Sequence, residues 1–183
     1  MNVVETPLAG ALIIEPKVFG DDRGFFYEAY NHERYAAHGI DTRFVQDNVS
    51  FSSYGVLRGL HLQHPFSQGK LVSVLDGEVF DVAVDVRTDS PTFGKWYGVT
   101  LSASNKKQFW IPRGFAHGFV VTSEKALFTY KCDEKYSPET EHSIIWNDPD
   151  IGIDWPVDKP LVSPKDEKGR CLSDFDPKEL PGN

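Results

Sequence analysis

Val56-Leu57-Arg58-Gly59-Leu60-His61-Leu62-Gln63 is the stretch that decides the fold. Apolar and polar side chains alternate over Leu60-His61-Leu62-Gln63, which is the pattern of a β-strand. A period of two puts Leu60 and Leu62 on one face and His61 and Gln63 on the other. Val56 and Arg58 share the parity of Leu60, but Gly59 stands between them and marks a bulge or a close backbone approach. The register therefore does not carry across Gly59. If the His61 face looks into a barrel, an imidazole and an amide stand where apolar side chains normally fill, and a polar lining means a ligand cavity. The plain alternative is a histidine on a solvated strand face. Polar punctuation recurring later in the chain tips the balance towards the cavity.

Similar strand patterns flank this stretch. Residues 8–15, 25–30 and 44–52 read as strands before it. Residues 70–75, 78–86, 96–101, 108–111, 118–122 and 126–131 read as strands after it. Asp76-Gly77 is a hairpin signal. Asn31 to His38 is expected to form a short helix, capped by Asn31 and ended by Gly39. Beyond about residue 137 Pro and Asp become frequent and alternation fades, and the segment after Lys159 is expected to wrap the barrel as loop. Many short strands with turn signals predict an all-β sandwich or barrel. No linker divides the chain, so residues 1–183 are expected to form one domain.

Composition narrows the function. The chain is long enough for a substantial core, and 40% hydrophobic and 13% aromatic residues argue against disorder. A net charge of −8 argues against a general nucleic-acid binder, and an anionic small ligand would need local cations. Met1-Asn2-Val3-Val4-Glu5 opens no secretion signal, and no apolar run is long enough to span a membrane. Cys132 and Cys171 make no disulfide framework. A reducing, cytoplasmic setting is the default expectation.

The chemistry-bearing residues recur at strand ends. Pro112-x-Gly114-x-x-His117 matches the second half-motif of the cupin barrel, a double-stranded β-helix or jelly roll. Metal-binding cupins carry His-x-His and a Glu in the first half-motif. Here that half-motif reads His61-Leu62-Gln63, followed by Gln68 and Lys70. A charged lysine does not ligate a metal, and two histidines alone make a poor transition-metal site. No metal and no cofactor are expected. Histidine serves as a general base near neutral pH, and a carboxylate on its far nitrogen would fix the tautomer. A lysine ammonium can stabilise an enolate, and a tyrosine can give a proton from the opposite face. His61, Lys70, Tyr130 and Asp166 are thus a parts list for epimerisation beside a carbonyl, although spacing alone cannot show that they converge.

Several landmarks in order carry a resemblance. They are Pro16-Lys17-Val18-Phe19-Gly20-Asp21-Asp22-Arg23-Gly24-Phe25-Phe26, Phe44-Val45-Gln46-Asp47-Asn48, Val56 to His61, Gln68-Gly69-Lys70-Leu71-Val72, Pro112 to Phe119, and Trp146-Asn147-Asp148. From about residue 8 to residue 167 the chain resembles the dTDP-4-dehydrorhamnose 3,5-epimerase family, cupin-fold enzymes of dTDP-L-rhamnose synthesis. The resemblance implies an all-β cupin jelly roll with a few short helices. It implies that His61 is the base at C3 and C5 of the 4-keto sugar, paired with Asp166, and that Tyr130 is the acid. Lys70 would stabilise the enolate and His117 would line the sugar pocket. Arg58 and Arg23 would meet the diphosphate. Gln46, Asn48, Glu28, Glu141 and Lys165 fall at ligand-contact positions, and Tyr136 at the place that stacks on thymine. In the family Arg23 and Glu28 reach the neighbouring subunit's site, so a homodimer is implied. The substrate implied is dTDP-4-dehydro-6-deoxyglucose.

Taken singly, each of these residues has a structural reading. Lys70, Glu28 and Glu141 read as solvated charges, Tyr130 as a half-buried strand tyrosine and Asp166 as a turn residue. Asp81 and Asp85 read as strand charges or as partners behind a site. The run Phe25-Phe26-Tyr27 reads as core and dimer packing. Competing functions are a mono-epimerase acting at C3 or C5 only, a sugar-nucleotide-binding cupin without turnover, and a metal-dependent oxygenase or isomerase.

Overall fold

The structure, a computed structural model, describes residues 1–182. Among these residues the strands are β1 Asn2–Glu5, β2 Leu12–Glu15, β3 Val18–Asp21, β4 Gly24–Tyr27, β5 Gln46–Ser53, β6 Val56–Gln63 and β7 Lys70–Asp76. They continue with β8 Glu78–Asp85, β9 Trp96–Ser102, β10 Gln108–Ile111, β11 Phe115–Val121, β12 Lys125–Cys132, β13 Glu141–Ser143 and β14 Leu161–Val162. One sheet has the order β1-β2-β10-β7-β12-β5. The other has the order β13-β6-β11-β8-β9, with β14 beside β6. The two sheets form the all-β jelly-roll barrel that the alternation predicts, and their inner faces share one core. Ile13, Val72, Val74 and Phe109 meet Val79, Phe115, Phe119 and Val121 there. Among the described residues no helix is long and apolar enough to cross a membrane.

The helix α1, His32–Ala36, is shorter than expected. Asn31 caps it as predicted, its side chain accepting the Arg34 N–H at 3.2 Å. Gly39 follows at φ +86°, a conformation that favours glycine. Three other expectations need correction. Leu8 and Ala11 are buried but close a turn through Ala11 N–H to Leu8 C=O at 3.0 Å, so the strand starts only at Leu12. The strand expected over 118–122 begins earlier, at Phe115, so His117 lies within β11, every residue of which is buried. Phe25 and Phe26 are not core. They lie 62% and 69% exposed on the ribbon of β3 and β4, which pairs with no barrel strand.

The anchor strand β6 is covered on both faces. Leu60 and Leu62 point away from the barrel interior into a second cluster with Ile151, Leu172, Phe175 and Leu180. The carboxy-terminal segment therefore wraps the outside of the sheet, as its composition suggests. It runs parallel to β6 at β14 (Leu161 beside Val56) and makes a further bridge between Ile144 and Arg170. Gly59 is required by contact. It has φ +121°, and a Cβ there would lie 2.6 Å from the Gly118 Cα. The β6–β11 register shifts beside it, between His117 and Phe119, which is the irregularity its glycine announced.

Candidate active site

Facing strands of the two sheets enclose a cavity of about 560 Å³. β6 brings His61 and Arg58, β11 brings His117, β7 brings Lys70 and β12 brings Tyr130. The stacked rings of Phe119 and Phe128, 4.2 Å apart, separate this cavity from the packed core. A larger surface cleft of about 640 Å³ lies near α1. Its His32 lies 3.6 Å from Asp41 and its Lys131 pairs with Asp47, so both side chains already have acidic neighbours.

His61 holds its far nitrogen against Asp166. Nε2 and Oδ1 are 2.6 Å apart, and Asp166 itself is almost fully buried. A carboxylate accepts, so Nε2 carries a proton, and in the neutral ring the lone pair then belongs to Nδ1. The segment after β14 delivers Asp166: Ser163 Oγ accepts its backbone N–H at 3.1 Å, and Gly59 N–H donates to its carboxylate at 3.3 Å. Burial alone would raise the Asp166 carboxyl. The hydrogen bond and charge of His61, with Gly59 N–H and the Ser163 hydroxyl, outweigh burial and hold it below its ordinary value.

His117 repeats the arrangement with Asp81. Both Asp81 oxygens lie within 3.1 Å of Nε2, and the carboxylate is fully buried. Burial lowers the His117 pKa and Asp81 only partly restores it, so the ring stays neutral with its Nδ1 an acceptor. Lys70 has no hydrogen bond or ion pair of its own among the described residues. Burial depresses its pKa against the pull of Cys132, Glu141 and Asp81. Its place is fixed by Gly69, which fits under Trp110 and Asp133 where a Cβ would lie 2.7 Å from the ring. Gly69 N–H also donates to Asp133 at 2.7 Å.

Tyr130 reaches the cavity from the sheet opposite His61, and burial raises its phenol pKa, so it stays protonated through neutral pH. Arg58 spends two donors on Ser52 Oγ, at 3.2 and 3.1 Å, and has no carboxylate partner among its hydrogen bonds. At the mouth, Glu141 pairs with Lys165 and accepts from the Tyr136 hydroxyl at 2.7 Å. Burial would raise Glu141, but Lys165, Tyr136 and His61 bring it below the ordinary glutamate value. Gln46 accepts the Tyr136 N–H at 2.9 Å and donates to Asn48 at 3.0 Å.

The fold thus brings His61, Lys70, Tyr130, Asp166, Arg58, His117, Tyr136, Glu141 and Lys165 to one cavity, with Gln46 and Asn48 beside it. Arg23 and Glu28 are outside it. Arg23 is 89% exposed on the β3–β4 ribbon, bound to Asp21, and Glu28 pairs with Arg34. Asp81 stands behind His117, the second of the two readings its sequence position allowed, whereas Ser50 and Ser52 on β5 were not singled out from the sequence as site residues. The polar parity Gln46, Asn48, Ser50, Ser52 was the signal for the two serines.

A family model described as dTDP-4-dehydrorhamnose 3,5-epimerase matches residues 5–174. The chain belongs to the dTDP-4-dehydrorhamnose 3,5-epimerase family. A member from Shigella flexneri is 57% identical over 96% of this chain and 98% of its own. The dTDP-6-deoxy-D-glucose-3,5-epimerase of Legionella pneumophila, solved with dTDP-4-keto-L-rhamnose, superposes with a TM-score of 0.97. It is 56% identical, covering 100% of this chain and 98% of its own. A 3'-monoepimerase from Streptomyces bikiniensis, solved with dTDP-quinovose, gives a TM-score of 0.85 at 37% identity. That match covers 92% of this chain and 88% of its own. As a family member the chain is an isomerase acting on a nucleotide sugar.

Proposed function

We propose that the chain converts dTDP-4-dehydro-6-deoxy-D-glucose to dTDP-4-dehydro-L-rhamnose by inverting C3 and C5, with His61 as base and Tyr130 as acid. The observation that carries the assignment is the Asp166-held imidazole on one sheet and the protonated phenol on the other, both lining one cavity. His61 Nδ1 takes the proton from the carbon beside the ketone, and the electron pair moves onto the ketone oxygen as an enolate. The Lys70 ammonium stabilises that oxygen, and Asp166 stabilises the imidazolium. Tyr130 then gives its proton to the opposite face of the same carbon. Each inversion leaves His61 one proton richer and Tyr130 one poorer, and exchange with water resets both before the second.

Neutral His117 is suited to accept a sugar hydroxyl. Arg58 serves the diphosphate, and Tyr136, Glu141, Lys165, Gln46 and Asn48 serve the nucleoside end. Arg23 and Glu28 act in the site of a second copy in a homodimer. The exposed phenylalanines beside Arg23 support that reading. A nucleotide sugar as substrate fits a cytoplasmic enzyme.

The test is incubation with dTDP-4-dehydro-6-deoxyglucose in D2O, followed at C3 and C5 by NMR. Deuterium is expected at both carbons. Deuterium at one carbon selects a mono-epimerase, and none at either removes the proposal.

A further inference from the structure

Ser50 lies on β5 between Asn48 and Ser52, on the wall of the cavity. Its neighbours of the same parity are engaged. Ser52 Oγ accepts from Arg58 at 3.2 and 3.1 Å. Asn48 accepts from Gln46 at 3.0 Å and donates to the Cys132 sulfur at 3.7 Å. The Ser50 hydroxyl has no partner. Among the described residues it is the only buried side-chain nitrogen or oxygen in that condition. Its cross-strand neighbour is Phe128, whose ring stacks on Phe119 and offers no hydrogen-bond acceptor of the usual kind.

A buried hydroxyl without a hydrogen bond costs stability, and folded proteins keep very few. A serine hydroxyl turns among three staggered positions, so an oxygen arriving in the cavity comes within its reach. The orphan is explained if the ligand completes it.

We propose that Ser50 is a substrate-contact residue whose hydroxyl donates to an oxygen of the bound sugar nucleotide. The acceptor is a phosphate oxygen held by Arg58 or an oxygen of the hexose, since Ser50 lines the same cavity as Arg58 and Tyr130. This rests on the sugar-nucleotide reading of the site. It makes two opposed statements about Ser50→Ala. The variant loses a hydrogen bond to ligand, but the free protein loses only an unpaired polar group and therefore no stability.

The experiment is calorimetric titration of wild type and Ser50→Ala with dTDP and with dTDP-glucose, together with thermal melts of the ligand-free proteins. Binding is expected to weaken about three- to thirty-fold, with the Tm of the free variant unchanged or raised. Weakening towards both ligands assigns the phosphate oxygen, and weakening towards dTDP-glucose alone assigns the hexose oxygen. Ser50→Cys, nearly isosteric and a weak donor, is expected to show the same loss. Unchanged affinity for both ligands, or a Tm lowered by several degrees, overturns the proposal. A wild type that binds neither ligand would instead remove the sugar-nucleotide reading.

Discussion

The Lys70 ammonium stands in the cavity with no partner of its own among the described residues. Burial lowers its pKa from the ordinary 10.5, so it loses its charge at a lower pH than a surface lysine. If that charge carries the enolate, kcat/KM falls on the alkaline side below the pH expected for free lysine. In Lys70→Arg, whose guanidinium stays charged, the limb should move up in whatever activity remains; an unmoved limb means another group titrates there. His61→Asn removes the base and is expected to cost about 10²–10⁴-fold in kcat. Tyr130→Phe removes only the proton donor, so solvent deuterium should still wash into substrate while product formation stalls. Loss of exchange and product together would contradict Tyr130 as the acid.

The strands that alternate cleanly were legible, because one face of each is buried and period two writes that directly into the sequence. β11 was half hidden: all seven of its residues are buried, and a strand covered on both faces has no alternation to read. β13 and β14 are three and two residues long and owe their existence to pairing with β6 rather than to their own composition. The site was legible as residue types and, through resemblance, as positions. The meeting of His61 and Asp166 across 105 positions was legible through the resemblance alone, because nothing local encodes it. Phe175 helps seat the segment carrying Asp166 and stacks under Arg170, 3.9 Å from ring centroid to guanidinium. Phe175→Ala is expected to cost about 3 kcal/mol and about 10 °C in Tm, read by calorimetry. An unchanged Tm would mean that the wrap adds nothing to the barrel.

At the scale of the whole molecule, exposed apolar side chains also stand on the six-stranded sheet. Val49 and Phe51 on the edge strand β5 and Leu75 on β7 are at least half exposed. These side chains, and Phe25 and Phe26 on the ribbon, are the apolar groups that the proposed homodimer would bury. Phe26→Asp should yield monomers by light scattering and weaken substrate binding through loss of the partner's Arg23. A dimer that persists with full affinity would exclude the ribbon from the contact. Acid should also unfold the protein. Asp85 is fully buried, and although burial raises it, Arg87, Ser90 and Thr92 hold it below 3.8. A carboxyl depressed in the folded state stabilises the fold above its unfolded pKa, and that contribution fades as pH falls through the folded value. Denaturant midpoints should therefore drop below about pH 4, and Asp85→Asn should flatten that drop.

Asp166 follows every barrel strand in the chain. A polypeptide still being synthesised can complete both sheets and yet hold His61 without its carboxylate. Ribosome-bound or prematurely stopped chains that end before it lack the carboxylate that orients the imidazole, so the base is assembled only once the segment beyond β14 has joined the sheets.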